Sequence, residues 1–234
     1  MIDIHNHLLY GIDDGSKSLS SSIELLKDLE TLGYSSIILT PHYIKNTKYN
    51  SSKTNNLKIL SELKKEVKKN NININLYLGN EIFYDEDIIE LLNSDEISSL
   101  NNTKYLLIEL PMSGEVIGYE DIFNDLIIKG YKVILAHPER YLSFQKDFNK
   151  IYELEKIGVL FQSNIESIIG SYGRHAKKMI KRLLKENKIS YLATDIHHKK
   201  DYSKYTLSYK KIIKIIGNEK FNELTNINPS HLID

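Results

Sequence analysis

The amino-acid sequence predicts an α/β fold: a parallel sheet, closed or distorted into a barrel, with helices on its outer face. Strand-like and helix-like segments alternate seven times along 234 residues, at a spacing of about thirty residues. The strands are continuous apolar runs, the pattern of a sheet covered by helices. Again and again such a strand stops at one His, Asp or Glu, and in β/α barrels the C-terminal strand ends carry the site. No Gly-rich dinucleotide fingerprint follows the first strand, which favours a barrel over an open Rossmann sheet. The chain is expected to form one domain, 1–234, without a repeat beyond the strand–helix unit.

The first strand is Met1-Ile2-Asp3-Ile4-His5-Asn6-His7. Alternation along a strand puts His5 and His7 on one face. The Asp13-Asp14-Gly15 turn follows, then a helix capped by Ser18 or Ser20 with Ile23, Leu26 and Leu29 on one side. A strand over 34–40 runs into Pro41-His42. Residues 43–56 are polar and nearly low-complexity; they read as a loop, either a lid or, the preferred reading, a solvated insertion. A helix over 57–69 and a strand over 72–78 lead to Gly79-Asn80-Glu81. A short helix over 86–92 precedes the strand 105–109, which ends at Glu109. After a rim loop (111–118) and a helix (119–129), the strand 131–136 stops at His137-Pro138-Glu139-Arg140. A helix over 147–156 leads to a strand over 159–162 that ends near Ser163-Asn164. The helix 174–186 buries Ala176, Met179, Ile180, Leu183 and Leu184. Its Arg174, Lys177, Lys178, Lys181, Arg182 and Lys185 read as a solvated face rather than a dock for an acidic tail. The strand 189–193 reaches Thr194-Asp195-Ile196-His197, and a last helix covers about 205–216.

Composition excludes several classes. A chain that is 41% hydrophobic and 26% charged is ordinary for a globular enzyme. The net charge of zero gives no bulk field for nucleic acid or a membrane surface. With no cysteine there is no disulfide, no thiolate metal site and no cysteine nucleophile. The N-terminus lacks a signal-peptide pattern, and no apolar run approaches the ~20 residues of a membrane span, so a cytoplasmic protein without membrane insertion is expected. The sixteen tyrosines, His175 and His231 carry no assigned role.

The chemistry sits at the strand ends: His5, His7, His42, Glu81, Glu109, His137, Asp195 and His197. One carboxylate closing an apolar strand is commonly a cap or an ion pair, but so many in register call for a metal. A nitrogen and oxygen ligand set suits manganese, iron, zinc or cobalt. Eight or nine ligands, some bridging, imply two or three ions, an arrangement that suits phosphate-ester hydrolysis. Arg140, three residues beyond His137, is placed to grip phosphate oxygens in a bidentate way; the competing reading is a surface salt bridge with Glu139 or a neighbour.

The segments Asp3-Ile4-His5-Asn6-His7, Gly11-Ile12-Asp13-Asp14-Gly15, Thr40-Pro41-His42, Gly79-Asn80-Glu81, Ile108-Glu109, Ala136-His137-Pro138-Glu139-Arg140 and Thr194-Asp195-Ile196-His197 resemble the polymerase and histidinol phosphatase (PHP) superfamily. More narrowly they resemble the manganese-dependent protein-tyrosine phosphatases of bacterial capsule and exopolysaccharide operons. The resemblance implies a distorted seven-stranded β/α barrel with a trinuclear site. It implies one metal on His5, His7, Glu81 and Asp195, a second on Glu81, Glu109 and His137, and a third on Asp14, His42 and His197, with Asp13 as an alternative to Asp14. It further implies manganese, attack by a metal-bound hydroxide without a phosphoenzyme, and Arg140 on the phosphate. The implied substrate is the phosphorylated tail of a cognate tyrosine kinase that controls polysaccharide synthesis.

One departure is visible. Members of that family often carry a second arginine shortly after the last Asp-x-His, whereas here the stretch reads His198-Lys199-Lys200-Asp201. Lys199 or Lys200 would supply a point charge for the substrate instead of a planar fork. Three other readings compete: a small-molecule phosphatase such as histidinol phosphatase, a TatD-like or amidohydrolase barrel, and a barrel that only binds and regulates a kinase. Neutral net charge argues against the nuclease form of the second, and the filled ligand positions argue against the third.

Overall fold

The computed structural model describes residues 1–198 and 203–233. Lys199 and Lys200 lie outside the described residues. The chain opens with β1 (Ile2–Asp3) and crosses to helix α1 (Leu19–Thr31). Ser18 caps that helix by accepting a hydrogen bond from Ser21 N, and Ile23, Leu25, Leu26 and Leu29 form its buried stripe. β2 (Ser36–Leu39), β3 (His42–Tyr43) and α2 (Lys53–Lys69) follow. Ser52 caps α2 through Asn55 N, so the polar residues 53–56 are the first turn of a helix, with Asn56 buried, and not part of a loop. The intervening turn closes on itself, with Ile44 N donating to Tyr49 O at 2.7 Å, and Lys45 pairs with Asp87 and, at 3.7 Å, with Asp85.

β4 (Asn75–Leu78), β5 (Glu81–Phe83), α3 (Ile88–Asn93), β6 (Tyr105–Glu109), α4 (Tyr119–Ile128) and β7 (Lys132–Ala136) continue the alternation. A 3-10 turn over Pro138–Arg140 then leads into α5 (Leu142–Lys146), a helix the sequence pattern does not announce, and α6 (Asn149–Lys156). β8 (Leu160–Asn164) runs two residues past the expected end at Gln162. After α7 (Gly173–Lys185) and β9 (Tyr191–Ala193), α8 (Ser203–Asn222) is longer than expected and kinks at Gly217. Among the described residues no helix is long and apolar enough to cross a membrane.

All strand pairs are parallel. They form a three-stranded sheet, β1-β2-β4, and a six-stranded sheet, β3-β5-β6-β7-β8-β9. The expected α/β fold with parallel sheets is present; two of the seven expected strands are each cut in two, so the strands divide between two sheets. Pro41 has no N–H to continue the first ladder. Asn80 breaks the second: its side chain donates to Pro41 O at 3.0 Å and accepts from Ser98 N at 2.8 Å. Glu81 N still reaches Pro41 O at 3.2 Å, so the interrupted strands remain neighbours. Beyond β9, Asp195 N donates to His5 O (2.8 Å) and His7 N to Ile196 O (2.9 Å), and Asn6 and Ile196 form a parallel bridge.

Alternation along the strands divides the core. Ile37, Leu39, Leu106, Ile108, Val133 and Leu135 pack under the helices, whereas Ile38, Leu107, Ile134, Ala136, Tyr191 and Ala193 fill the other face. Each large side chain buried this way contributes roughly 1.5–3 kcal/mol of transfer free energy. Glu109 continues the inner row two residues after Leu107. His137 would turn outward after Ala136, but its left-handed backbone (φ 33°) breaks the alternation.

Candidate metal centre

The ends of β3, β5 and β6 and the short segments that follow β1, β7 and β9 bring every expected ligand to one place. His5, His7, Asp14, His42, Glu81, Glu109, His137, Asp195 and His197 all fall in four overlapping groups, each with its ligand atoms within 4.8 Å of one another: His5, His7 and Glu81; His5, His137 and Asp195; His42, Glu81 and Glu109; and His7, Asp14, His42 and His197. His5, His7, Glu81, His137 and Asp195 are buried, and Asp14 lies toward solvent with its side chain 51% exposed.

Glu81 is the hub. Its Oε2 is a buried atom with no hydrogen-bond partner, and it lies 3.1 Å from His5 Nε2, 3.2 Å from His7 Nε2 and 3.0 Å from His42 Nδ1. Its Oε1 is 2.9 Å from His137 Nε2. Asp195 Oδ1 stands 3.4 Å from both His5 Nε2 and His7 Nε2, which are 3.4 Å from each other. Donors that share an ion at about 2.1 Å stand about 3.0–3.4 Å apart, so this set fits a divalent cation. Glu109 reaches His137 Nε2 at 3.6 Å and His42 Nδ1 at 3.8 Å. Asp14 Oδ1 lies 3.7 Å from His42 Nε2 and 3.6 Å from His197 Nε2.

The two neighbouring aspartates have separate surroundings. Asp13 turns inward: its Oδ2 is 2.7 Å from His7 Nδ1 and accepts from His42 N at 2.9 Å, while Oδ1 accepts from Gly15 N at 2.9 Å. A carboxylate only accepts here, so His7 carries a proton on Nδ1 and its Nε2 faces Glu81 and Asp195.

The electrostatics follow from burying charges beside one another. Burial pushes the Glu81 carboxyl up, but His5 and His42 outweigh it and hold it well below the usual carboxylate range. Asp195 shows the same contest, won by His5. Glu109 has more distant imidazoles, and burial together with the Glu81 charge pushes it up to about 9. Burial disfavours the charged His5 ring, yet Glu81 and Asp195 raise it to about 9. Where burial wins, His137 and His197 fall to about 4. Buried charges this dense need compensation, and a cation supplies it.

Arg140 points at the centre and not at Glu139. Its Nη1 donates to Asp195 Oδ2 at 2.8 Å and its guanidinium sits 4.6 Å from the Tyr172 ring centroid. Glu139 instead is buried and accepts from Asn164 N (2.8 Å) and Ser167 Oγ (2.7 Å), which fixes the turn that carries Arg140. His42 has a neighbour the sequence does not reveal, the Tyr49 ring at 6.2 Å. Gln162 and Asn164 were also missed; both are fully buried on β8. Their signal was available, as polar side chains at the end of an otherwise apolar buried strand.

A sequence model of the family described as "Capsular polysaccharide synthesis, CpsB/CapC" matches residues 1–234. The chain is 33% identical to the tyrosine-protein phosphatase YwqE of Bacillus subtilis (strain 168) over 206 residues, covering 88% of this chain and 81% of that protein. It is 29% identical to the tyrosine-protein phosphatase CpsB of Streptococcus agalactiae serotype III (strain NEM316) over 230 residues, covering 96% and 94%. Among solved structures it resembles one of a set described as YwqE from Bacillus subtilis and CpsB from Streptococcus pneumoniae, unique metal-dependent tyrosine phosphatases, with TM-score 0.87, 31% identity and coverage of 94% and 89%. Histidinol phosphate phosphatase of Lactococcus lactis shares the fold at TM-score 0.60 and 14% identity, covering 92% and 93%.

Proposed function

This chain belongs to the capsular polysaccharide synthesis CpsB/CapC family, and we propose that it is a metal-dependent phosphatase that hydrolyses phosphotyrosine on the tail of a bacterial tyrosine kinase. The observation that carries this reading is the convergence of eight further nitrogen and oxygen donor residues around Glu81, together with a chain that holds no cysteine. Relatives 29% and 33% identical to this chain over most of their length are tyrosine-protein phosphatases.

In this reading His5, His7, Glu81 and Asp195 hold one ion, Glu81, Glu109 and His137 a second, and Asp14, His42 and His197 a third. Manganese is the ion we favour, on the resemblance to manganese-dependent phosphatases; the sulfur-free donor set also suits iron, zinc or cobalt. Bound divalent ions supply Lewis acidity toward phosphate oxygens and make water acidic enough to react near neutral pH. The chain's own groups do the rest. Arg140 gives one of its five N–H donors to Asp195 and keeps the others for phosphate oxygens. Asp13 keeps the His7 proton on Nδ1 and leaves Nε2 for a metal. A kinase-tail substrate places the reaction in the cytoplasm. We also read the two sheets as one distorted barrel with seven strand positions, because β2 hands over to β3, β4 to β5, and Asn6 bridges Ile196.

The test is a substrate comparison with manganese-loaded protein: a phosphotyrosine peptide, the matching phosphoserine peptide and histidinol phosphate. Preferential turnover of the phosphotyrosine peptide is expected. Turnover of histidinol phosphate alone would move the reaction to small-molecule metabolism. No turnover of any of them would overturn the reading.

A further inference from the structure

β8 supplies none of the nine donors, yet its last residues lie against two of them. His5 Nδ1 is 2.8 Å from Gln162 Oε1, which also accepts from His137 N at 3.3 Å. Gln162 Nε2 donates to Asn164 Oδ1 at 2.9 Å, and Asn164 Nδ2 donates to Asp195 Oδ2 at 2.6 Å. All four side chains are at most 2% exposed.

The polarity of this chain is fixed from both ends. Asp195 as a carboxylate only accepts, so Asn164 must present its NH2 there and its oxygen to Gln162. The backbone N–H of His137 only donates, so Gln162 must present its oxygen to it and its NH2 to Asn164. That oxygen is the one facing His5, so His5 must carry its proton on Nδ1 and turn Nε2 toward Glu81 and Asp195. At the far end Asp195 Oδ2 is occupied by Asn164 and Arg140, which leaves Oδ1 facing the two imidazoles.

We propose that Gln162 and Asn164 form an amide relay that positions His5 and Asp195 as a matched pair of metal ligands and couples both to Arg140. Neither amide touches the reacting atoms; they act through the ligands. The relay rests on the metal reading of the site. It makes the first ion's affinity depend on a strand that contributes no ligand, and it links the metal ligand Asp195 to the phosphate-gripping arginine through one carboxylate.

The experiment measures Mn2+ affinity by chelator competition for the full-length wild type, Gln162→Leu, Gln162→Glu and the core variant Ile180→Val, with melting temperatures of the stripped proteins. Zn2+-loaded samples give the His5 Nδ1–H resonance by 15N NMR. Gln162→Leu should weaken Mn2+ about 10- to 100-fold, with no such change in Ile180→Val. Gln162→Glu keeps the acceptor for His5 but cannot donate to Asn164. It should therefore retain the slowly exchanging Nδ1–H and bind with an affinity between the other two. Wild-type affinity in Gln162→Leu, or a wild-type His5 without a hydrogen-bonded Nδ1–H, would overturn the relay alone. A wild type that binds no divalent ion would overturn the metal reading and the relay with it. If Gln162→Leu does not fold, Gln162→Glu and the His5 resonance still decide the question.

Discussion

Asp13 Oδ2 and His7 Nδ1 lie 2.7 Å apart in a fully buried pair, while Asp14, one residue on, has a side chain 51% exposed beside His42 and His197. The two carboxylates therefore do different work. In Asp13→Asn an NH2 replaces one of the two oxygens that accept from the backbone N–H groups of His42 and Gly15, so the buried bridge to His7 loses an acceptor; it should weaken binding of the first ion by about 10- to 100-fold. Asp14→Asn should lower the number of bound ions by one and leave the melting temperature of the stripped protein unchanged. Metal counting by mass spectrometry beside thermal denaturation checks both. Equal effects of the two substitutions would contradict the division of roles.

Proton competition sets the pH dependence of metal binding. Burial opposes a charge on His5, but Glu81 and Asp195 raise its pKa to about 9. Below that pH the ring holds a proton that an ion must displace, and His7, raised well above its ordinary value by Asp13 against the effect of burial, holds another, so affinity rises with pH toward about 9. The slope is about tenfold per unit for each proton released. Calorimetry at pH 7 in buffers of different ionisation enthalpy should detect proton release. A binding heat independent of buffer would contradict the coupling.

Gly15 is required by close approach. A Cβ there would stand 2.1 Å from His7 O and 2.4 Å from His7 Cβ, atoms that cannot swing aside. Gly15→Ala should cost about 1–3 kcal/mol and displace the turn that holds Asp13 against His7. Gly11, with φ 72° and open space around it, should accept Asn with little loss. Urea denaturation of both variants checks the contrast.

Much of this candidate site was legible because His, Asp and Glu at strand ends interrupt apolar runs. His5, His42, Glu109, His137 and Asp195 each announce themselves that way. What the pattern did not carry was the choice between Asp13 and Asp14, which depends on how one turn folds over His7. Nor did it carry the role of Gln162 and Asn164, because an amide at the end of a strand has no spacing signature. The strand breaks at Pro41 and Asn80 were missed for a related reason: apolar content continues across them while the hydrogen-bond ladder does not. Helix α5 is five residues long, too short for a periodic signal.

Arg140 tests planar recognition. Lys keeps the charge but loses the fork and the face that meets Tyr172. Arg140→Lys should lower kcat/KM for a phosphotyrosine peptide on the order of 100-fold, with bound metal retained. Full activity in the lysine variant would show that a point charge is enough. Glu139→Gln keeps an acceptor for Asn164 N and Ser167 Oγ and should stay near wild type.

Ions held around Glu81 are expected to carry the reaction. Protein stripped by chelation would be titrated with Mn2+ while hydrolysis of a phosphotyrosine peptide is followed, in wild type and His137→Ala. No turnover is expected in the stripped protein, with recovery as metal is added to the wild type and little or none in the variant. Undiminished turnover by fully stripped wild-type protein would contradict it.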